Sequence, residues 1–336
     1  MDPEVREAEN GDILLVRAAE GPDLATECEG RILVTGANGH LGIRLIRSLA
    51  GSGSGSAGVR ALVRSERAAN TLRDLPEDCR PEIHIVDYAD AEAVAAAAGG
   101  CDRIVHLIGI LKETRNARYL DAHEAASSAL ARAAEEVGAR RIVYMSILGA
   151  HPEAGNACLA SKGRAERILL GGRVPVTVLR VPMVLGPGEI AAFALRSNVR
   201  APLAPLVRGG AALEQPIDAE DLTTAIENAL ADRSSDDALL DLAGPESLSH
   251  RDLVRRAAKL IAKKPRFLPI PLAAASLFAR LAERFSDDPP LTPAMLGVLE
   301  RDDQIDPSPA CARLGLTLTP LDDTLRRCLA EDGTPS

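Results

Sequence analysis

The sequence predicts an α/β fold in which a doubly wound parallel sheet is followed by a smaller α/β lobe. Three observations predict it. Apolar strand-like segments alternate six times with helical segments up to Val181, the first strand enters its helix through a glycine-rich turn, and beyond Val181 Pro and Gly separate shorter segments. Alternating strands and helices imply right-handed crossovers and a parallel sheet that binds its ligand at the carboxyl ends of the strands.

We expect three regions along the chain of 336 residues. Residues 1–29 form an acidic N-terminal extension, whose many Asp and Glu residues are the reverse of a signal or transit peptide. Residues 30–185 form the sheet domain. Residues 186–336 form the smaller lobe, and some of its segments should pack back on the sheet. A hydrophobic content of 46% suffices for one large core and a second, smaller one.

Composition excludes several classes of function. A net charge of -9 argues against a nucleic-acid partner, which would need a clustered basic face. The chain has no uninterrupted apolar run of the ~18 residues that a transmembrane helix needs. The cysteines show neither a CxxC nor a metal-ligand spacing, so we expect no metal site and reduced thiols in a cytoplasmic protein. They are Cys28, Cys79, Cys101, Cys158, Cys311 and Cys328.

The stretch Arg31 to Gly42, RILVTGANGHLG, joins the first strand to the first helix. Gly36 permits a tight reversal, Gly39 lets bare backbone approach a pyrophosphate, and Gly42 lets helix and strand pack closely. The unpaired N–H groups and the positive dipole end of the helix then face the anion. The pattern predicts a dinucleotide-binding Rossmann domain over residues 30–185. The predicted contacts are Gly36, Asn38, Gly39, His40, Leu41 and Gly42.

The second strand, VRALV over residues 59–63, follows a Gly/Ser-rich insert that we expect to be a surface loop. Arg64 and Ser65 stand at the carboxyl end of this strand, where the adenosine ribose lies in such sheets. An acidic residue there would bind the 2′-hydroxyl of NAD, whereas an arginine suits the 2′-phosphate of NADP. The sequence therefore favours NADP(H) over NAD(H). The alternative is that Arg64 is an ordinary solvated arginine.

The third and fourth strands, EIHIV and RIVHLIG, extend the same ligand-binding edge. Asp87 and Tyr88 follow the third strand, and Asp87 could bind an adenine amino group or cap the next helix. His106 lies within the fourth strand, and we interpret it as a structural residue. The segment that passes the ribose and phosphates is predicted to be Leu107, Ile108 and Gly109.

A helix over residues 119–138 leads to the fifth strand, RIVYMS, and a helix over residues 157–169 leads to the sixth, PVTVLRV. Ser146 stands at the carboxyl edge of the fifth strand, and Lys162 lies on the second of these helices. After the sixth strand, Pro182 and Met183 begin the Pro/Gly-rich segment that leaves the sheet. We include both among the predicted cofactor contacts.

The smaller lobe offers few polar groups, and we expect Arg208 and Asp218 as possible substrate contacts. Within residues 271–285 an apolar stripe recurs at helical spacing. It could pack into the core, or it could dock on a partner protein or a membrane surface. The stripe consists of Leu277, Phe278, Leu281 and Phe285.

The chain resembles the short-chain dehydrogenase/reductases of the extended or atypical branch. The motifs TGANGHLG, ALVRS, VHLIG, LRVPMVLGPG and QPIDAEDL occur in the expected order over about residues 30–330. Three further segments resemble bacterial relatives of the nucleotide-binding accessory subunit of respiratory complex I. They are LGAHPEAGNACLASKGRAE, LAGPESLSHRDLV and TPLDDTL.

The resemblance implies a serine that orients a carbonyl, a tyrosine that transfers the proton and a lysine that binds the nicotinamide ribose. Ser146 and Lys162 match the serine and the lysine. The tyrosine would stand at residue 158, which is Cys158. A thiol does not reach as far as a phenol, so conventional carbonyl reduction should be slow or absent. Tyr144, within the fifth strand, is not expected to replace it.

These residues leave three hypotheses open. The first is a cofactor-bound scaffold, accessory or assembly protein with little turnover, peripheral to the inner membrane, whose smaller lobe contacts a protein or membrane surface. The second is an NADP-dependent reductase or isomerase acting on a small apolar substrate, with the acid supplied by Lys162, water or the substrate. The third makes Cys158 a redox sensor whose thiol pKa is depressed by Lys162 and the nicotinamide.

Overall fold

A computed structural model describes residues 30–51 and 58–330. The predictions for the acidic extension, for Cys28 and for most of the Gly/Ser-rich insert lie outside the described residues. The described strands are β1 (Arg31–Thr35), β2 (Val59–Val63), β3 (Glu82–Ile85), β4 (Cys101–His106), β5 (Arg141–Ile147), β6 (Val176–Val181), β7 (Val184–Leu185), β8 (Leu203–Val207), β9 (Leu213–Glu214), β10 (Ile217–Asp218), β11 (Ala238–Asp241), β12 (Leu248–Ser249) and β13 (Arg266–Ile270).

The helices of the described residues are α1 (His40–Leu49), α2 (Glu66–Arg73), α3 (Ala91–Ala98), α4 (Ala126–Glu136), α5 (Ala157–Leu170), α6 (Ile190–Arg200), α7 (Ala219–Ala231), α8 (His250–Leu260), α9 (Leu272–Phe285), α10 (Pro293–Leu299), α11 (Ser308–Leu314) and α12 (Leu321–Ala330). A π-helical turn, Leu120–Ala125, runs directly into α4. Together they cover most of the long helix that the sequence predicts over residues 119–138.

Seven parallel strands form the main sheet, in the order β3, β2, β1, β4, β5, β6, β11. The predicted fold class, a doubly wound parallel sheet, is confirmed. Val34 in β1 pairs with Ala61 on one side and Val105 on the other, so the first strand lies inside the sheet, between β2 and β4. The order reverses at β1, and this switch point is where such sheets bind ligands. The seventh strand, β11, comes from the segment assigned to the smaller lobe.

The fourth strand is shorter than its sequence predicts. β4 ends at His106, and the chain continues as a loop from Leu107 to Leu111. Leu107 still donates its backbone N–H to the carbonyl oxygen of Thr35 at 3.2 Å, which holds the start of the loop against β1. The apolar residues of this loop therefore continue the hydrophobic pattern of the strand without belonging to it.

Two helical layers cover the sheet. The buried residues of α1, α2 and α7 pack on one face in a single core with Val34, Val63 and Val105. The buried residues of α3, α4 and α5 pack on the other face, with Leu33 and Ile104. Alternate residues of β1 and β4 thus serve opposite cores, as the pleat of a strand requires.

The smaller lobe has a core of its own, formed by α6, α8 and α12, with Leu195, Leu253 and Leu325 among its buried residues. Beside it, β8 and β13 pair in parallel. The helix α9 buries only Ala275 and Ala279, and the predicted apolar stripe is exposed to solvent. Core packing was therefore the wrong interpretation of that stripe. Within the part of the chain that the structure describes, no helix is long and apolar enough to cross a membrane.

Candidate functional site

A cleft of about 1600 Å³ opens at the carboxyl edge of the sheet, where β1, β2 and β4 end. Most of the residues predicted to contact a nucleotide lie together in its lining, although they come from four separate segments of the chain. The predicted residues that line it are Gly36, Asn38, Gly39, His40, Arg64, Ser65, Asp87, Tyr88, Leu107, Ile108 and Gly109.

The turn between β1 and α1 forms the floor of this cleft. Gly36 has a φ of +67°, and a Cβ there would lie 3.1 Å from the backbone carbon of Leu107. At Gly42 a Cβ would lie 2.6 Å from the carbonyl oxygen of Ala37, so this position requires glycine for packing. The N-cap of α1 is Gly39, and no side chain caps the helix there. The first N–H groups of α1 are thus available to an anion, which fits a dinucleotide pyrophosphate.

The adenosine end of the cleft is built from the residues after β2 and β3. Arg64 is exposed and lines the cleft. Ser65 accepts a hydrogen bond from the backbone N–H of Ala68 and so acts as the N-cap of α2. Asp87 accepts a bond from the backbone N–H of Ala89 at 3.1 Å, so one of its oxygens already has a partner within its own turn.

Tyr88 is tied to the sheet. Its hydroxyl donates to the carbonyl oxygen of Leu62 at 2.9 Å, and burial raises the pKa of Tyr88 to about 12. The Tyr88 phenol is therefore neutral, and its hydrogen bond to β2 fixes the segment after β3 at the adenosine end of the cleft.

Four further arginines line the cleft, and sequence reasoning missed them. Arg44 and Arg47 come from α1, Arg67 from the first turn of α2, and Arg118 from the segment just before the π-helical turn. Arg44 is held by Glu220 and by the carbonyl oxygen of Pro187, at 2.6 Å from the latter. Arg67 follows Arg64 by three residues, which would place both arginines on one side of a helix. This spacing indicates a second cleft arginine only when the position of α2 beside the cleft is known.

The loop after β4 is held by side chains from two helical segments. Lys162 of α5 donates from Nζ to the carbonyl oxygens of Ile108 at 3.2 Å and Met145 at 2.9 Å. It is buried beside the ring of Tyr144, with Nζ 4.6 Å from the ring centre. Burial lowers the pKa of Lys162 to about 8. The lysine thus lies directly behind the cleft wall at Gly109, where a Cβ would lie 2.8 Å from Nζ.

Cys158 contacts the same loop. Its Sγ donates to the carbonyl oxygen of Ile110 at 3.5 Å, and the side chain is buried. Burial raises the pKa of the Cys158 thiol, and the nearby Lys162 ammonium only partly offsets this. Desolvation of the thiol therefore outweighs the positive charge of Lys162, and the depression expected from Lys162 together with a bound nicotinamide stays a prediction.

Tyr119 and His123 complete this wall, and the sequence analysis assigned neither of them to the site. The Tyr119 hydroxyl donates to the carbonyl oxygen of Leu111 at 2.8 Å and interacts with the Cys158 thiol. Nε2 of His123 accepts the backbone N–H of Ile110 at 3.1 Å. The two rings stack with their centres 5.5 Å apart. Burial lowers the pKa of His123 to about 3, so this imidazole is neutral.

Ser146 hydrogen-bonds to a buried carboxylate on α5. Its hydroxyl donates to Glu166 at 2.5 Å, and Arg180 binds both oxygens of the same carboxylate at 2.9 and 2.6 Å. Ser146 and Glu166 are both buried. In this arrangement the hydroxyl positions a carboxylate between α5 and β6, and the carbonyl-orienting role implied by the resemblance stays a prediction.

His106 and Tyr144 both belong to the core. His106 is hydrogen-bonded to Thr35 at 2.8 Å and to Ser127 at 3.2 Å. Burial lowers the pKa of His106 to about 3. The ring of Tyr144 stacks on it with centres 5.2 Å apart, and its hydroxyl is enclosed in the core.

Other predicted residues lie away from the cleft. Met183 packs against the core of the smaller lobe, and its carbonyl oxygen accepts the backbone N–H of Ile217. Asp218 caps α7 and is bound by Thr324 at 2.6 Å and Arg327 at 2.5 Å. The predicted contacts that are not in its lining are Leu41, Gly42, Lys162, Pro182, Met183, Arg208 and Asp218.

Comparison with known sequences agrees with this geometry. A protein-family model described as NAD(P)H-binding matches residues 36–195. The chain is 29% identical over 248 residues to NADH dehydrogenase [ubiquinone] 1 alpha subcomplex subunit 9, mitochondrial, of Arabidopsis thaliana. That match covers 72% of this chain and 61% of the plant protein. The chain is also 27% identical over 253 residues to a ceramide reductase of Caulobacter vibrioides, a match that covers 74% of this chain and 76% of the reductase.

Solved structures share the fold. One is MoeE5 in complex with UDP-glucose and NAD, at a TM-score of 0.68 and 20% identity, covering 89% of this chain and 97% of that one. Another is a nucleoside-diphosphate-sugar epimerase from Staphylococcus aureus, at a TM-score of 0.68 and 17% identity, covering 88% and 99%. The parallel sheet, the glycine turn with no side-chain cap and the family match together identify an NAD(P)-binding Rossmann domain, and the chain is similar to the atypical short-chain dehydrogenase/reductases.

Proposed function

We propose that this protein binds NADP(H) and holds it with little or no turnover, as a cofactor-bound scaffold, accessory or assembly protein. One observation carries the proposal. At the position where the superfamily has its proton-donating tyrosine stands Cys158, a buried thiol hydrogen-bonded to the backbone of the cleft wall. A positioned acid accelerates proton transfer by ~10²–10⁴. Without it, the site should still bind the nucleotide but should transfer a hydride to a carbonyl substrate only slowly.

The same geometry supports the preference for NADP(H). Arg64 and Arg67 follow the end of β2 and line the cleft, where a 2′-phosphate would lie, and Arg47 of α1 lines the same cleft. Guanidinium groups bind phosphate oxygens through two hydrogen bonds at once. Near the other end of the nucleotide, Lys162 would bind the nicotinamide ribose by exchanging its two carbonyl partners for ribose hydroxyls. The bound nucleotide would supply a hydride.

Calorimetric titration of the purified protein tests this assignment. We expect NADPH to bind at least ~10-fold more tightly than NADH, which corresponds to about 1.4 kcal/mol. With NADPH bound, quinones, aldehydes and ketones should give no oxidation above that of a Lys162→Ala variant. If neither nucleotide gives a binding heat, the binding assignment is wrong. If a carbonyl compound or quinone is reduced steadily, the scaffold role is wrong.

A second candidate is an NADP-dependent reductase or isomerase acting on an apolar carbonyl substrate. Tyr119 favours it, because this tyrosine approaches Cys158 from a different helical segment and supplies a phenol to the same wall. The similarity to a ceramide reductase, which covers most of that protein, supports it as well. If this candidate is right, Tyr119→Phe abolishes the reduction of the carbonyl substrate while the affinity for the nucleotide stays unchanged. Cys158→Ala should change neither the rate of reduction nor the affinity for the nucleotide.

The expected location belongs to the same proposal. A cytoplasmic protein peripheral to the inner membrane agrees with the similarity to a subunit named for NADH dehydrogenase. Fractionation of cells that produce the tagged protein should recover it with membranes at low salt, and high salt or alkaline carbonate should release it. Recovery in the soluble fraction at low salt would exclude the peripheral location.

A further inference from the structure

The helix α9 presents its large apolar side chains to solvent and its small ones to the protein. Ala275 and Ala279 are buried, whereas Leu277, Phe278, Leu281 and Phe285 are 59, 56, 50 and 82% exposed. At 100° per residue, these four fall within an arc of about 100° whose centre lies about 130° from the mean direction of the two alanines. We call them the α9 apolar face. A surface helix normally does the reverse, and exposed apolar patches of this kind mark contact sites for another surface.

Positive charge accompanies this face. Residues 250–285 carry nine Lys and Arg against two acidic residues, Asp252 and Glu283, a net charge of +7 in a chain whose total is -9. Arg280 and Arg284 fall along one flank of the α9 apolar face. Within the described ranges, the basic residues of this segment that form ion pairs are Arg255 and Arg256.

This helix adjoins the loop that leads to the cleft. Its C-terminal end continues into Asp287, whose carbonyl oxygen accepts the backbone N–H of Arg115 at 3.2 Å. Lys112 donates to the carbonyl oxygen of Pro289 at 2.7 Å. The next residues of that loop, 116–118, line the cleft. A surface that binds α9 therefore lies beside one end of the cleft.

We propose that the α9 apolar face docks on the surface of an anionic lipid bilayer, with the helix lying in the plane of the interface. An apolar face flanked by arginines, on a helix of 14 residues, has the chemistry of an interfacial helix rather than of a spanning one. The net charge of the segment favours anionic lipid over a neutral one, since each basic residue near such a surface adds to the attraction. The proposal rests on the peripheral membrane location proposed above and is independent of nucleotide binding.

A single tryptophan tests the contact, because the chain contains none. Phe285→Trp should show an emission maximum typical of exposed indole in buffer and a clear blue shift with vesicles of phosphatidylcholine and phosphatidylglycerol. Vesicles of phosphatidylcholine alone should shift it far less. The matched control is Leu239→Trp, at a leucine 47% exposed on the edge strand β11, and it should not shift.

Flotation with the same vesicles gives a second measurement. Phe278→Gln combined with Leu281→Gln should lower the partition onto anionic vesicles by at least ~10-fold, since two large apolar side chains no longer enter the interface. Leu239→Gln should leave it unchanged. Three outcomes overturn the proposal: no blue shift, an equal shift in the Leu239→Trp control, or an emission maximum that is already blue without vesicles. The last would mean that protein covers this face.

Discussion

Gly109 and Lys162 occupy neighbouring positions so close that a Cβ added to the glycine would lie 2.8 Å from Nζ of the lysine. The cleft wall can pass in front of the buried ammonium only because this position has no side chain. The lysine also binds Ile108 and Met145 through their carbonyl oxygens, so the wall and the lysine fix each other.

Gly109→Ala tests this arrangement. The added methyl group must displace Nζ and weaken its two hydrogen bonds, so we expect a loss of about 1–3 kcal/mol in the free energy of unfolding. Nucleotide affinity should fall as well, because the displaced wall narrows the cleft. Urea denaturation and calorimetry measure the two effects. Gly155→Ala is the matched control, since no atom lies within 4 Å of its added Cβ. Equal stability of the two variants would contradict the contact.

The lowered pKa of Lys162 makes stability depend on pH. The folded protein has a pKa of about 8 at this lysine, below the usual value near 10.5, so the unfolded chain binds the proton more tightly. The protonated lysine therefore costs stability below pH 8, and this cost is relieved as the pH rises from about 8 to 10.5. The maximum effect is about 3 kcal/mol.

The matched variant for this effect is Lys162→Met, an unbranched side chain one atom shorter than lysine that carries no charge. We expect the difference in unfolding free energy, wild type minus variant, to increase with pH across that window and to be flat between pH 6 and 7. Urea denaturation at a series of pH values measures it. A difference that decreases above pH 8 would show that the ammonium stabilises the fold.

The preference for NADP(H) should depend on Arg64. Removing a guanidinium that binds a phosphate costs about 1.5–3 kcal/mol, so Arg64→Ala should weaken NADPH binding at least ~10-fold. NADH binding should be nearly unchanged because it lacks the phosphate. Arg73→Ala is the control, since this exposed arginine on α2 pairs with Glu66. If both nucleotides lose affinity equally, Arg64 acts through general charge and does not read the 2′-phosphate.

Cys158 should be an unreactive thiol. It is buried and its pKa is raised, so both its access and its thiolate fraction are low at neutral pH. Iodoacetamide labelling followed by peptide mass spectrometry should show slow modification in the native protein and rapid modification in urea. Addition of NADP⁺ should not accelerate it. Fast native labelling would revive the hypothesis of a redox sensor.

Local sequence determined the parts of this protein that depend on neighbouring residues. The alternation of strands and helices predicted the parallel sheet, and the spacing of Gly36, Gly39 and Gly42 predicted the nucleotide-binding turn. Both follow from backbone geometry that a few adjacent residues set by themselves. The absence of a tyrosine at residue 158 was also evident, because a fixed spacing on one helix locates it.

Only the tertiary structure decided which distant side chains meet. Tyr119 and His123 reach the cleft wall because the π-helical turn Leu120–Ala125 packs against α5. The spacing of these two residues in the sequence does not predict their contact with the wall. Burial raises the pKa of the Cys158 thiol despite the nearby Lys162, since desolvation depends on the surrounding atoms and not on sequence neighbours. The sequence predicted the apolar residues of α9 as a stripe on one side of a helix. Whether that stripe faces the core or the solvent depends on how the helix packs in the fold.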